Sequence, residues 1–314
     1  MLDVIGLGLC TIDILLRLTE MPTWEHNGAV QALRIDGGGP VGTALAAAAR
    51  LGLRCGYIGP YGGDDLGNLK RNALEREGVD TSHMARRDCP ERQLILVYVQ
   101  AETGERIFVS GGDWSAFVFK KEELDPPYLA SAPILLLDGT YPEAAGEAAR
   151  LVRAQGGLVV MDGCKTEGCI NDSLRPIIPL VSVLISGAGF TRALTGLSDP
   201  CKAGEALLAL GLERVVQTNG ENGSQTQTSQ GEFFHTPAFG VNVVDTTGAG
   251  DVFHGAYLVG LTKGWSPQDT ARFASAAAAI KCTQLGGRAG IPTYYSVIEF
   301  IQNHNLNNQE NKCL

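Results

Sequence analysis

The chain has 314 residues, is 44% hydrophobic and 19% charged, and carries a net charge of −9 with a pI near 5.1. That length supports one large α/β domain, or one domain with an appendage. The acidic balance argues against nucleic acid or an acidic membrane as a partner, and no apolar run approaches the roughly 18 residues of a membrane span.

In chain order, buried strands are predicted over 2–9, 55–59, 132–138, 157–162, 181–186 and 214–218, where short β-branched or leucine-rich runs occur. Helices are expected between them over 41–52, 64–78, 142–157 and 199–211, most closing on a glycine. The last third turns helical, over 249–263, 267–284 and 294–304, and the polar tail 305–314 is expected to fray. Repeated strand–helix units imply an α/β fold with a mostly parallel central sheet covered by helices on both faces. Two segments break the rhythm: "GAVQALRI" (28–35) and "QLILVYVQAETGERIFVS" (93–110), the second a hairpin turning near Glu102–Gly104. They fit a small second sheet, which is a lid over a ligand cleft, a dimer surface or a plain hairpin. Trp24 and Trp114 lie near these strands, with closure over a ligand and a core or dimer role both open.

The N-terminus "MLDVIGLGLCTID" lacks a basic n-region, so a cytoplasmic protein is expected. Eight cysteines (Cys10, Cys55, Cys89, Cys164, Cys169, Cys201, Cys282 and Cys313) contain no CxxC pair, which suits reduced thiols better than disulfides or zinc. Gly6 and Gly8 make a partial dinucleotide fingerprint, but Thr11 replaces the third glycine and no helix follows at once. A P-loop is absent from the sequence. His235 and His254 stand alone, the latter read as packed or nucleotide-adjacent.

The stretch "VVDTTGAGDVFHGAYLVG" (243–260) carries the chemistry. Gly248, Ala249 and Gly250 stand where a helix should begin, and a helix N-terminus offers unpaired N–H groups and partial positive charge. Glycine lets those donors approach an anion closely. Asp251 follows in the first turn. An acid beside an anion site makes sense as a base that takes the proton of an alcohol attacking phosphorus. The competing reading is a helix-start acid with glycines that serve tight packing.

"DTTGAGDVFHGA" (245–256) resembles the C-terminal signature of the ribokinase/PfkB family of carbohydrate kinases. The likeness continues in "GLCTID" (8–13), "GGGPVGTALAAAARLG" (37–52) and "YIGPYGGDDLGNLKRNALEREGVDTS" (57–82). It implies a three-layer αβα ribokinase-like fold with a small β lid, divided as a core of 1–13, 37–91 and 112–304 and a lid of 14–36 and 92–111. It implies ATP with Mg²⁺, transfer of the γ-phosphate to a sugar hydroxyl, Asp251 as base and Gly248–Gly250 as anion hole. Asp13, at the end of the first strand, would bind sugar hydroxyls, with Gly38, Gly39, Gly42, Asp138 and Thr140 around the sugar. Thr218, Gly220, Thr247 and Gly287 would contact ATP, within "VVQTNGENGS" (215–224) and "AAAAIKCTQLGGRAGIP" (276–292) on the nucleotide side. Asp245, with carbonyls near 247 and 286–289, would sit where many members hold a monovalent cation such as K⁺, and a homodimer through the lid is expected.

The chain departs from the family pattern at three places. Gly42 replaces the usual asparagine, so one hydroxyl contact is missing. The N-x-x-E motif that organises magnesium should fall in "SGAGFTRALTG" (186–196), where Gly187 and Phe190 stand instead. The motifs also resemble those of the branch containing bacterial sulfofructose kinase, yet Asn27, Ser110 and Thr140 stand at its sulfonate-binding positions and bring no cation, which points to an uncharged sugar. A sugar- or nucleotide-binding relative without turnover, and a nucleoside kinase, remain the alternatives.

Overall fold

The computed structural model describes residues 1–163 and 172–310, with side chains described through His304. Its strands and helices, in chain order, are β1 (Val4–Leu7), β2 (Thr11–Leu18), β3 (Val30–Gly38), α1 (Pro40–Arg50), β4 (Cys55–Gly62), α2 (Asp65–Arg76), β5 (Met84–Arg87), β6 (Leu94–Gln100) and β7 (Arg106–Ser110). There follow α3 (Pro126–Leu129), β8 (Ile134–Leu137), α4 (Pro142–Ala154), β9 (Leu158–Gly163), β10 (Val183–Gly187), α5 (Ala188–Thr195), α6 (Pro200–Leu208) and β11 (Arg214–Thr218). The chain ends in β12 (Ser224–Thr228), β13 (Phe233–Thr236), α7 (Ala249–Thr262), α8 (Pro267–Lys281) and α9 (Tyr294–Glu310). No described helix is long and apolar enough to cross a membrane.

Among the described residues the main sheet runs β13-β12-β11-β10-β9-β8-β1-β4-β5. Every neighbouring pair from β11 to β5 is parallel, and the β12–β13 hairpin adds an antiparallel edge. From β1 the chain moves outward to β4 and β5, then returns to β8 on the other side and proceeds to β11. Strand order therefore reverses between β1 and β8, and ligands of open α/β sheets bind beyond the carboxyl ends of strands at such a switch point. Two apolar cores, one on each face of the sheet, account for the continuous hydrophobic runs of β1, β8 and β9. On one face, α1 and α7 pack at close range because Gly255 offers no Cβ; one there would run into the Ala44 carbonyl.

The second sheet runs β3-β2-β6-β7. Its strand β2 is a correction to the sequence reading. The first strand ends at Leu7 and a separate strand begins at Thr11, ahead of the expected lid boundary at residue 14, so Asp13 lies inside a lid strand. The period was legible: Ile12, Ile14, Leu16 and Leu18 alternate with Thr11, Asp13, Leu15 and Arg17. The hairpin turns at 101–105, with Gly104 at φ 71°. Helix α9 continues to Glu310, six residues beyond the expected stop at 304, because no glycine or proline interrupts it. Residues 311–314 of the expected tail lie outside the described residues.

Candidate active site

The loop after β13 delivers the DTTGAGD segment to the carboxyl end of the sheet. Gly248 caps α7 with φ 74° and ψ 4°, and a Cβ there would stand 2.9 Å from the Gly287 carbonyl oxygen. Conformation and space both demand glycine. A Cβ on Gly250 would meet nothing within 4 Å. The mouth of α7 is thus open on the Gly250 side, where unpaired N–H groups and the positive end of the helix can meet an anion.

Asp251 is half-buried in the first turn of α7. Burial pushes its carboxyl up to about 7; the Asp162 and Asp13 charges add to the shift, while His254 and Arg288 oppose it. A carboxylate poised near neutrality is matched to taking a proton at physiological pH. Asp13 approaches from β2. Its Oδ1 accepts from the Thr11 hydroxyl at 2.6 Å, and burial raises its carboxyl to about 6. Gly38 on the neighbouring strand leaves the room for it, since a Cβ there would run into both carboxylate oxygens. Gly39, at φ 81°, lets the backbone turn from β3 into α1 against Leu9 and Cys10.

Asp162, which the sequence reading left out, and His254, which it read as packed or nucleotide-adjacent, stand behind Asp251. Asp162 lies near the carboxyl end of β9, and its Oδ1 is 3.4 Å from His254 Nε2. His254 Nδ1 is 2.7 Å from the Gly250 carbonyl oxygen and Nε2 is 3.1 Å from that of Ile185. Both partners only accept, an arrangement that favours the doubly protonated ring. Burial presses its pKa down, but Asp162 and the two carbonyls outweigh burial and raise it. The ring holds the Gly250 peptide at the start of α7. Its spacing, three residues after Asp251 and so on one helix face, was a readable signal. So was an acid at the carboxyl end of a parallel strand.

Other expected site residues are engaged elsewhere. Gly42 is buried and packs inward, and a Cβ there would stand 2.6 Å from Arg288 Nη2 and 2.7 Å from Cys10 Sγ. Its glycine makes room for Arg288, which donates to the Gly38 carbonyl at 2.8 Å and ties the root of β3 to the loop after α8. Asp138 accepts from Leu9 N at 2.7 Å and Thr140 N at 2.9 Å, so it braces the loops after β1 and β8. Burial raises it to about 6. Thr140 is exposed beside it. The Thr247 hydroxyl donates to Asp245 Oδ1 at 2.7 Å and accepts from Arg106 Nη1 at 2.9 Å, so its side chain faces the protein and not a nucleotide. Gly287 is buried against Gly248. Thr218 ends β11 in register with Gly187, the N-cap of α5, and exposed Gly220 turns the chain just beyond. Phe190 is core filling against Gly163. Among the described residues no three His, Cys, Asp or Glu side chains cluster for a metal ion. The five described cysteines are free thiols, while Cys164, Cys169 and Cys313 lie outside the described residues.

Comparison with known proteins matches residues 1–294 to the pfkB family carbohydrate kinase model. The chain is 31% identical over 285 residues to the aminoimidazole riboside kinase of Salmonella typhimurium, covering 86% of this chain and 89% of that protein. It is 27% identical over 280 residues to the ribokinase of Haemophilus influenzae, covering 87% and 89%. In structure it superposes on a putative ribokinase from Agrobacterium tumefaciens with a TM-score of 0.87 and 27% identity, covering 96% of this chain and 98% of that one. The switch-point cleft, the open turn at Gly250 and these matches agree: the chain belongs to the pfkB family of carbohydrate kinases and is an ATP-dependent sugar kinase.

Proposed function

We propose that Asp251 is the base of this kinase, that the N–H groups of Gly248–Gly250 hold the phosphoryl group in transfer, and that Asp13 orients the sugar. The observation that carries this reading is one carboxylate raised toward neutrality at an open helix N-terminus, with a second carboxylate reaching toward it from the lid. The sugar hydroxyl gives its proton to Asp251 Oδ as its oxygen attacks the γ-phosphorus. The bond from phosphorus to the bridging oxygen breaks and ADP leaves. Positioning and charge stabilisation supply most of the acceleration in such transfers. Mg²⁺ would come with ATP, held mainly by the phosphates and its own waters.

The sugar is uncharged in this reading. Asn27, Ser110 and Thr140 are exposed and neutral, while Arg106, next to the turn of the lid hairpin, is committed to Thr247 and Asp245. The name of the Salmonella relative favours one second reading, in which the acceptor is a riboside. Release of ADP, followed by a coupled assay across free sugars, ribosides and sugar acids, decides between them. Turnover confined to acidic sugars would overturn the uncharged assignment. Asp13→Ala is expected to raise the KM for the sugar by about 10²-fold, since a charged acceptor for two hydroxyls is lost, with the KM for ATP changed by less than about threefold.

We also propose a homodimer through the lid in a reducing, cytoplasmic setting. The lid's outer face carries Leu33 at 62% and Ile107 at 54% exposure, with Ile35 and Val109 beside them. The free thiols fit such a compartment. Leu33→Glu with Ile107→Glu is expected to halve the mass measured by light scattering, and a wild-type monomer at micromolar concentration would refute the dimer.

A further inference from the structure

The cage expected to hold a monovalent cation around Asp245 does not fit a free ion. Asp245 Oδ1 accepts from the Thr247 amide at 2.8 Å and its hydroxyl at 2.7 Å, and Oδ2 accepts from the Gly286 amide at 2.9 Å. Two cations of the chain already face this acid. Arg106 Nη1 lies 3.7 Å from Oδ1, and Lys281 Nζ lies 3.9 Å from Oδ2. Two carbonyls close by are also engaged. That of Cys282 takes the amides of Val244 and Asp245 at 2.8 and 3.1 Å, and that of Arg288 takes Arg50 Nη1 and the Ile291 amide at 3.1 and 3.2 Å.

Lys281 is the decisive residue. It ends α8, is 0% exposed, and donates from Nζ to the Asp245 carbonyl oxygen at 2.8 Å. An ammonium group has the charge of a bound alkali ion and donates where the ion would accept lone pairs. A free cation entering here would have to displace a tethered one and face like charge. The segment held in this way runs from Asp245 to Gly248, the cap of the anion-binding turn.

We propose that Lys281 is a built-in monovalent cation, its ammonium standing in place of a dissociable ion, so that phosphoryl transfer by this chain needs neither K⁺ nor Na⁺. The inference rests on Asp251 and Gly248–Gly250 being the transfer site. Lys281 itself touches no reacting atom. It is a positioning residue for the loop that caps α7.

The test uses the whole chain with ATP-Mg and an accepted sugar, in potassium, sodium or choline chloride at equal ionic strength. Wild-type turnover is expected to agree within about twofold across the three salts, the margin of general screening. Activation by K⁺ over choline beyond that margin overturns the proposal. Lys281→Met is expected to lose about tenfold or more in kcat in choline, and to regain activity with K⁺ or ammonium. A Lys281→Met variant with wild-type turnover in choline overturns it equally. Should the variant not fold, the wild-type series alone decides. Melting temperature gives a readout independent of turnover: wild type is indifferent to K⁺ against choline, whereas Lys281→Met gains stability from K⁺. Stabilisation of wild type by K⁺ over choline refutes the built-in cation. Absence of turnover in every salt, with the melting pattern as expected, refutes the transfer site and leaves the cation assignment standing.

Discussion

Asp251→Asn is expected to lower kcat by about 10² to 10⁴ while raising the melting temperature. The catalytic half follows from the proton. An amide occupies the same space at the mouth of α7 and accepts a hydrogen bond, but it cannot take a proton from the attacking hydroxyl. The KM for the sugar should change little, so the loss falls on kcat. A kcat within about threefold of wild type would remove Asp251 from the mechanism.

The stability half follows from the direction of the shift. A carboxyl raised from 3.8 to about 7 on folding is favoured in its protonated form. Its folded state is therefore penalised as pH rises above the unfolded value, and the full penalty is present above about 7. Removing the ionisable group removes that penalty at neutral pH. Solvent reaches this half-buried side chain, which discounts the gain to the order of 1–2 kcal/mol, or roughly 2–6 °C in a chain of this size. The gain should vanish near pH 4, where the wild-type carboxyl is protonated in the folded state. A fall in stability at neutral pH would instead mean that the carboxylate is a structural partner. In wild type, kcat/KM should fall on the acid side of about 7 as Asp251 protonates. It should steepen near 6 as Asp13 follows.

How much of this was readable in the sequence depends on how far apart the interacting residues lie. The turn at Gly248–Gly250 and the acid after it are contiguous, and backbone conformation there is local, so "GAGD" and its place at a helix start were legible. The parallel sheet was legible for the same reason: each buried strand announces itself within a few residues. Arg288 was invisible because it meets the Gly38 carbonyl 250 positions away. The same guanidinium fills the space beside Gly42, where the family's asparagine is missing. The glycine faces a guanidinium on the inner side. Lys281 reads as one polar residue ending an alanine-rich helix. Only the fold places its ammonium against Asp245, 36 positions earlier. Thr247 shows a subtler competition. A hydroxyl beside a phosphate-binding turn suggests a ligand contact, but the acid two residues before it competes for the same donor and wins at 2.7 Å.

Glu91→Gln is expected to cost about 3–5 kcal/mol of stability, the largest stability loss among the substitutions considered. The side chains of Glu91 and Lys70 are both 0% exposed, with Nζ 3.2 Å from Oε2. Glu91 is the hub of the connection from β5 to the lid strand β6. Its Oε2 also takes the Gly62 amide at 2.9 Å, and its Oε1 takes the amides of Arg92 and Gln93 at 3.1 and 2.8 Å. Lys70 then donates to Gln93 Oε1 at 2.7 Å, and Gln93 Nε2 donates to the Tyr141 hydroxyl at 2.9 Å. An amide at position 91 turns a donor toward one of these donors and leaves a buried ammonium without its counter-charge. Burial already lowers the Lys70 pKa despite the Glu91 carboxylate beside it, so removing that charge drives the lysine toward its neutral form. The melting temperature should fall by roughly 6–15 °C, and the loss should shrink at high pH, where neutral Lys70 needs no partner. Lys70→Met in the same chain should recover part of the loss, with a coupling of about 1–3 kcal/mol between the two sites. Strict additivity would mean that the two side chains act independently. Both side chains are 0% exposed, so kcat of the folded enzyme should stay within about twofold of wild type. A larger drop would mean that this buried cluster sets the lid's geometry over the sugar as well as its attachment.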